Sequence, residues 1–185
     1  MNSFYTREEL FQVGFKNLGE NVLISKKTSI YSPEKITIGN HVRIDDFCLL
    51  SGQITLGDYI HISAYSALYG KFGIIMEDYT GLSPRTTIFS ASDDFGGDFL
   101  ISPMVKDEYT NIMGGMVTIR RFSQIGSGSI ILPDLIINEG VAIGAMSLVK
   151  KSIEEWSIYG GNPLKFIKKR KKGLLRFFDD ISERE

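Results

Sequence analysis

Two adjacent carboxylates, Asp93 and Asp94, stand in a polar stretch that runs from residue 89 to 116. It passes through Asp93-Asp94-Phe95-Gly96-Gly97 and ends in Gly114-Gly115. A carboxylate in such a loop can take up a proton or hold an ammonium group by charge. Other chemically capable residues are scarce: His41 and His61 are the only histidines, and Cys48 is the only cysteine. Two His cannot build a three-His metal centre, and one Cys gives neither an intrachain disulfide nor a Cys-rich zinc site, so no metal is expected. His41 in Ile38-Gly39-Asn40-His41 and His61 in Tyr59-Ile60-His61-Ile62 read as wall or subunit-interface residues, with His61 the better candidate base. Tyr65, Tyr69 and Tyr79 look outward, suited to stacking on a sugar or nucleotide base and equally to an interface. Past Pro163, Lys165, Lys168, Lys169, Arg170, Lys171, Lys172 and Arg176 form a basic cluster that suits phosphate groups or a solvated face.

The elements that must position these residues announce themselves as a repeat. Ile38, Ile44, Leu50, Leu56, Ile62 and Leu68 recur every six residues, as do Ile119, Ile125, Ile131, Ile137, Ile143 and Val149. Met76, Leu82 and Ile88 continue the series after a two-residue slip around Gly70-Lys71-Phe72-Gly73. Neither a helix of 3.6 residues per turn nor plain strand alternation sustains a period of six. A three-sided coil does: each side contributes one inward aliphatic and a corner, and stacked coils bury a continuous column. Gly39, Gly57, Gly126 and Gly144 follow these aliphatics directly and are expected at tight or left-handed corners. Ile36/Ile38, Ile54/Leu56, Ile74/Met76 and Val117/Ile119 read as short strands entering those corners.

Segments outside the rhythm complete the plan. Thr6-Arg7-Glu8-Glu9 is a capping-box pattern ahead of Leu10, Phe11 and Phe15, predicting a short helical cap within residues 1–22. The expected coil spans 23–160, with the excursion 89–116 as a binding loop and 161–185 as a tail helix with one apolar face, all in one domain. A chain of 185 residues, 43% hydrophobic and 23% charged, can bury its core without staples. A net charge of −1 gives no general attraction to nucleic acid or membranes, and the start of the chain lacks the apolar run of a signal peptide. A cytoplasmic protein with no nucleic-acid partner and no membrane insertion is therefore expected.

The repeats, Ile143-Gly144-Ala145-Met146-Ser147-Leu148-Val149-Lys150-Lys151, and Tyr159-Gly160-Gly161-Asn162-Pro163-Leu164-Lys165-Phe166-Ile167 resemble the hexapeptide-repeat acyltransferases of the left-handed parallel β-helix class. More narrowly they are similar to the maltose/galactoside acetyltransferase branch and the sugar acetyltransferases of bacterial surface-polysaccharide clusters. The resemblance covers nearly the whole chain. It implies an all-β left-handed parallel β-helix, a homotrimer, acetyl-CoA as co-substrate in a groove between neighbouring β-helices, and a loop reaching over the adjacent subunit. Carried over residue by residue, it implies coenzyme contacts at Gln124 and Ser127 along the pantetheine arm and at Ala145 by close approach. Lys150, Lys151 and Lys168 fall near the nucleotide end, with Pro163 in the matching tail, and backbone N–H groups near Gly126 and Gly144 are candidates for stabilising the oxyanion.

One departure decides the acceptor. Sugar O-acetyltransferases of this class carry a catalytic His where Asp93 stands here. A hydroxyl needs a base in the transition state, worth roughly 10²–10⁴-fold, whereas a neutral amine already has a lone pair able to attack a thioester. The expected reaction is transfer of acetyl to the amine of an amino-deoxy sugar, nucleotide-linked, in surface-glycan (O-antigen or lipopolysaccharide) biosynthesis. Asp93 and Asp94 are the acid/base or amine-binding candidates. The alternatives are O-acetylation of a sugar or polysaccharide with His61 or Asp93 as base, and a non-catalytic trimeric β-helix binding module.

Overall fold

The computed structural model describes residues 3–182 of the chain. Three walls of short parallel strands wind around one aliphatic column. The first wall holds Ser29–Tyr31, Thr87–Phe89, Ile130–Ile131 and Leu148–Val149, together with the opening residues of the longer strands Leu49–Leu56 and Ala67–Met76. The closing residues of those two strands share the second wall with Asn17–Leu18, Ile36–Ile38, Val117–Ile119 and Leu135–Ile137. The third wall runs Leu23–Ile24, Arg43–Ile44, His61–Ile62, Gly81–Leu82, Gln124–Ile125, Ala142–Ile143 and Ser157–Gly160. Every residue of the six-residue series is at most 3% exposed, and each such aliphatic contributes about 1.5–3 kcal/mol of burial.

The corners differ from expectation in one respect. Gly39 and Gly126 are not left-handed; a Cβ on Gly39 would stand 2.5 Å from Gly57 O, and one on Gly126 2.5 Å from Ala145 N. Close approach between coils requires glycine there. The left-handed position falls later in the corner, on His41, Tyr59, Tyr79, Phe122 and Trp156 after the second wall, and on Phe47, Tyr65, Arg85 and Met146 after the third. Bulky residues rarely adopt that backbone, and here coil-to-coil ring stacking offsets its cost. His41 and Tyr59 stack at 4.5 Å, Tyr59 and Tyr79 at 4.7 Å, and Tyr79 and Phe122 at 5.7 Å.

The first corner, between the first and second walls, varies in length. Pairing Tyr31 with Ser51 and Ile36 with Ile54 leaves four residues in one corner facing two in the next. The strand Ala67–Met76 again holds extra residues, the sequence slip at Gly70-Lys71-Phe72-Gly73 appearing as a bulge opposite Gly52-Gln53. The excursion leaves this same corner after Phe89 and rejoins at Val117, its neck closed by antiparallel Ala91–Ser92 and Met113–Gly114.

Both ends depart from the plan in detail. The helix α1 (Arg7–Val13) has the predicted capping box between Thr6 and Glu9, stops at left-handed Gly14, and buries Leu10. In place of a helix from 161 onward, Lys165–Lys169 is a strand antiparallel to Ser157–Gly160, and only Leu175–Ser182 (α2) is helical. The open edge of the third wall demands partners for its N–H and C=O groups, which outweighs the helix preference of the lysines. Residues 1–2 and 183–185 of the expected terminal segments lie outside the described residues. Among the described residues, no helix is long and apolar enough to cross a membrane.

Candidate active site

Asp93 and Asp94 part company at the neck of the excursion. Asp93 is exposed and lines a hollow of about 300 Å3 with Phe89, Ala91, Ser92, Phe95, Leu132 and Pro133. Its carboxylate has no hydrogen-bond or ion-pair partner among the described residues. Asp94 turns inward and accepts the backbone N–H groups of Gly96 at 2.7 Å, Asp98 at 2.9 Å and Phe99 at 3.0 Å. Those bonds, Gly96 foremost, hold its carboxyl below the usual range against the opposing effect of burial. Asp94 therefore shapes the loop that presents Asp93. The neck is fixed by Ser90, whose buried hydroxyl donates to Tyr69 O at 3.0 Å and accepts the Phe72 N–H at 2.9 Å.

A second group of residues lies on the third wall. Parallel pairing stacks Arg43, His61, Gly81, Gln124 and Ala142 in one outward column. His61 Nε2 lies 2.8 Å from Asp45 Oδ2, and Arg43 Nε donates to the other oxygen at 2.7 Å. Burial pushes the Asp45 carboxyl up, but the bonds from Arg43 and then His61 prevail and hold it below its ordinary value. Gln124 folds over Gly81 and donates from Nε2 to Ser83 Oγ at 3.2 Å. Sequence reasoning passed over Ser83; its signal is its place directly after Leu82, where the coils on either side carry Ser63 and Gly126.

The third corner opens into a cleft of about 490 Å3 lined by Tyr65, Arg85, Ser127, Gly128, Ala145 and Met146. Gly128 takes the left-handed position without a side chain, and the Met146 sulfur lies 2.6 Å from where its Cβ would stand. The expected oxyanion donors at Gly126 and Gly144 are committed to the coil, donating to Ile143 O at 2.8 Å and Tyr159 O at 2.7 Å. The neighbouring N–H groups of Ser127 and Ala145 have no partner among the described residues, and they offer donors to an extended amide chain.

The remaining candidates are spread along the coil. Lys150 and Lys151 are exposed at the first corner, directly after Val149. Pro163 is exposed in the turn between Ser157–Gly160 and Lys165–Lys169, and Lys168 is exposed on that outer strand. Within one chain, Asp93 at the first corner is separated by the first wall from Ser127 and Ala145 at the third. Among the described residues, no group of three or more His, Cys, Asp or Glu side chains is placed to hold a metal ion.

No protein-family model matches the chain. It is 47% identical over 170 residues to a dTDP-4-amino-4,6-dideoxy-D-glucose acyltransferase of Escherichia coli, covering 90% of this chain and 88% of that protein. Among solved structures it resembles AntD, an N-acyltransferase from Bacillus cereus, in complex with dTDP and 3-hydroxybutyryl-CoA. The TM-score is 0.96 at 50% identity, over 100% of this chain and 98% of that one. A single-residue variant of AntD, in complex with dTDP-4-amino-4,6-dideoxyglucose and coenzyme A, gives a TM-score of 0.97 at 49% identity over the full length of both chains.

Proposed function

The chain belongs to the hexapeptide-repeat sugar acyltransferases of the left-handed parallel β-helix class, and we propose that it transfers an acetyl group from acetyl-CoA to the amine of a nucleotide-linked amino-deoxy sugar. The likeness to an amino-sugar acyltransferase at 47% identity, and to AntD bound to dTDP-amino-sugar and coenzyme A, supports both the acyl donor and the amine acceptor. A non-catalytic scaffold has no support beside these relatives. We assign the whole chain to one acyltransferase domain, working in the cytoplasm in surface-glycan biosynthesis.

The observation that carries the amine reading is the unpartnered Asp93 carboxylate on its hollow. It attracts the ammonium form of the acceptor and takes one of its protons, which frees the nitrogen lone pair; the second proton, released as nitrogen attacks, goes to the departing sulfur. In the reaction the amine lone pair forms the C–N bond, the C–S bond breaks, and coenzyme A leaves as the thiol after proton transfer. Ser127 and Ala145 N–H groups hold the pantetheine amides, Gln124 flanks the arm, and Lys150, Lys151 and Lys168 serve its phosphates. Because Asp93 and the coenzyme groove lie on different corners, the site is complete only where the first corner of one chain meets the third corner of its neighbour. A homotrimer supplies that juxtaposition.

The test is a pair of matched nucleotide sugars, one bearing an amine and one a hydroxyl, assayed with acetyl-CoA. Turnover of the amine alone, with an acceptor KM raised about tenfold or more in Asp93→Asn, is expected. Turnover of the hydroxyl sugar alone overturns the reading. The O-acetylation alternative draws on the His61–Asp45 contact at 2.8 Å, which orients a ring nitrogen as catalytic bases require; it predicts that His61→Asn abolishes turnover of the hydroxyl sugar.

A further inference from the structure

Charge is unevenly divided along this chain. Residues 150–185 hold ten basic and six acidic residues, whereas 1–149 hold eleven basic and sixteen acidic. Seven of the basic residues stand between Trp156 and Phe178, a stretch with no carboxylate; Glu154, Glu155 and Asp179 flank it. Arg170 is committed to the carbonyls of Phe122 and Gly140, but the five lysines are all exposed. Lys169 Nζ reaches Glu154 at 3.8 Å and Lys172 Nζ stands 4.9 Å from the centre of the Trp156 ring. Neither Lys165 nor Lys171 has an ion-pair partner among the described residues.

The fold gathers these residues at one end of the coil. Lys165–Lys169 adds a rung to the third wall, but the other walls stop short of it, at Leu148–Val149 and at the bridge between Ile137 and Ile153. A side chain turned inward from the added rung therefore stands over the open end of the coil. Residues opposite each other in neighbouring strands share a face. Phe166 lies opposite Tyr159 and Lys169 opposite Ser157, whose side chains both turn into the coil, so Phe166 and Lys169 cover its end. Lys168 lies opposite Ile158 and faces outward from the wall, apart from them. The register shifts here, and Ile167 is the residue left without an opposite. Phe166 remains 52% exposed and Ile167 57% exposed.

Bare apolar side chains among exposed lysines match one kind of partner. The apolar groups enter the interfacial layer of a bilayer while the ammonium groups reach lipid phosphates, each lysine near such a surface strengthening binding about fivefold. A nucleic acid engages the lysines through its phosphates and leaves Ile167 idle. We propose that this end of the coil docks reversibly on an anionic lipid surface, Phe166 and Ile167 entering the headgroup layer and Lys165, Lys169, Lys171 and Lys172 meeting the lipid phosphates. The contact is peripheral, with no segment crossing the bilayer. It goes beyond the acyl-transfer reading and stands on the single chain. The homotrimer proposed above multiplies it, since one rotation axis points the same coil end of all three subunits the same way.

Co-sedimentation of the full chain with lipid vesicles tests it. Vesicles of phosphatidylcholine with about 30% phosphatidylglycerol are expected to pull the protein down at low salt, and vesicles of phosphatidylcholine alone to leave it in solution. Lys165→Ala combined with Lys169→Ala and Lys171→Ala lowers the partition coefficient about tenfold or more, and Ile167→Asn about threefold or more. The KM for acetyl-CoA, read on the same proteins, stays within about twofold of the wild type in both variants. No preference for the phosphatidylglycerol vesicles, or an unchanged partition coefficient in the triple variant, overturns the proposal. So does a larger rise in the acetyl-CoA KM of the triple variant, which assigns these lysines to the coenzyme. Binding of a DNA duplex at the same salt, with Ile167→Asn retaining full vesicle binding, marks a general polyanion surface and overturns it as well.

Discussion

Gln124 lies across Gly81 and donates its Nε2 hydrogen to the Ser83 hydroxyl over 3.2 Å, tying the third wall to the start of the third corner. A Cβ on Gly81 would stand 2.7 Å from Gln124 Oε1, the far end of a flexible side chain. Gly81→Ala is therefore expected to displace the amide at a stability cost of about 1 kcal/mol or less. On the proposed placement of Gln124 beside the pantetheine arm, the KM for acetyl-CoA is expected to rise several-fold in Gly81→Ala and in Gln124→Ala. Steady-state kinetics alongside thermal melts check this; an unchanged KM in both variants removes Gln124 from the coenzyme groove.

The two adjacent carboxylates separate by experiment as they do in space. Asp94→Ala strips the acceptor from the N–H groups of Gly96, Asp98 and Phe99. Amide exchange across that segment accelerates by about tenfold or more, with faster proteolysis of the loop. Asp93→Asn leaves exchange at the same amides unchanged and alters acceptor kinetics only.

Acid weakens the third wall through Asp45. Its carboxyl titrates below its ordinary value of about 4 because Arg43 and His61 bond the ionised form. A depressed folded-state pKa contributes stability that is full above the ordinary value and lost as pH falls through the folded one. The partners are largely solvated, so the contribution is about 1 kcal/mol or less, a few degrees in Tm. The Tm gap between wild type and Asp45→Asn holds from pH 7 down to about pH 5 and closes below about pH 4. A gap that widens on acidification contradicts the assignment.

Arg170 fastens the tail to the coil. Its guanidinium donates to Phe122 O at 2.7 Å and Gly140 O at 3.0 Å, and burial pulls its pKa down. Past it, α2 places Phe178 edge-on to Tyr79 at 5.4 Å and to Phe122 at 5.3 Å. Arg170→Met is expected to cost about 2 kcal/mol, lowering Tm by roughly 4–8 °C, and to release α2 to proteolysis. A protease-resistant tail in the variant shows that the ring contacts suffice alone.

Sequence spacing describes the core almost completely, because an inward position in a narrow three-sided coil admits only an aliphatic of one size. Ile38 through Leu68 and Ile119 through Val149 are all buried as the period requires. Corner chemistry is less legible. Glycine after isoleucine suggests a left-handed turn, but Gly39 answers to Gly57 on the next coil, and the left-handed position falls on ring residues such as Tyr59, Tyr79 and Phe122 that stack from coil to coil. Stacking joins residues some twenty positions apart, beyond the reach of local propensity. Lys165–Lys169 misleads for a similar reason, its strand being imposed by the wall edge. At the site, the loop composition points to Asp93 and Asp94 together. Only the path of the chain through Gly96 and Phe99 decides which carboxylate is consumed in holding the loop.

The antiparallel strand Lys165–Lys169 also bears on solubility. A stack of parallel coils ends in an open edge onto which another molecule's coil can add, the start of an endless fibre. Here the last parallel strand is covered by one running the opposite way, and its rim carries Lys165, Lys168 and Lys169, all exposed. A further chain arriving at that end meets reversed backbone polarity and a row of like charges. Growth along the coil axis stops at this end.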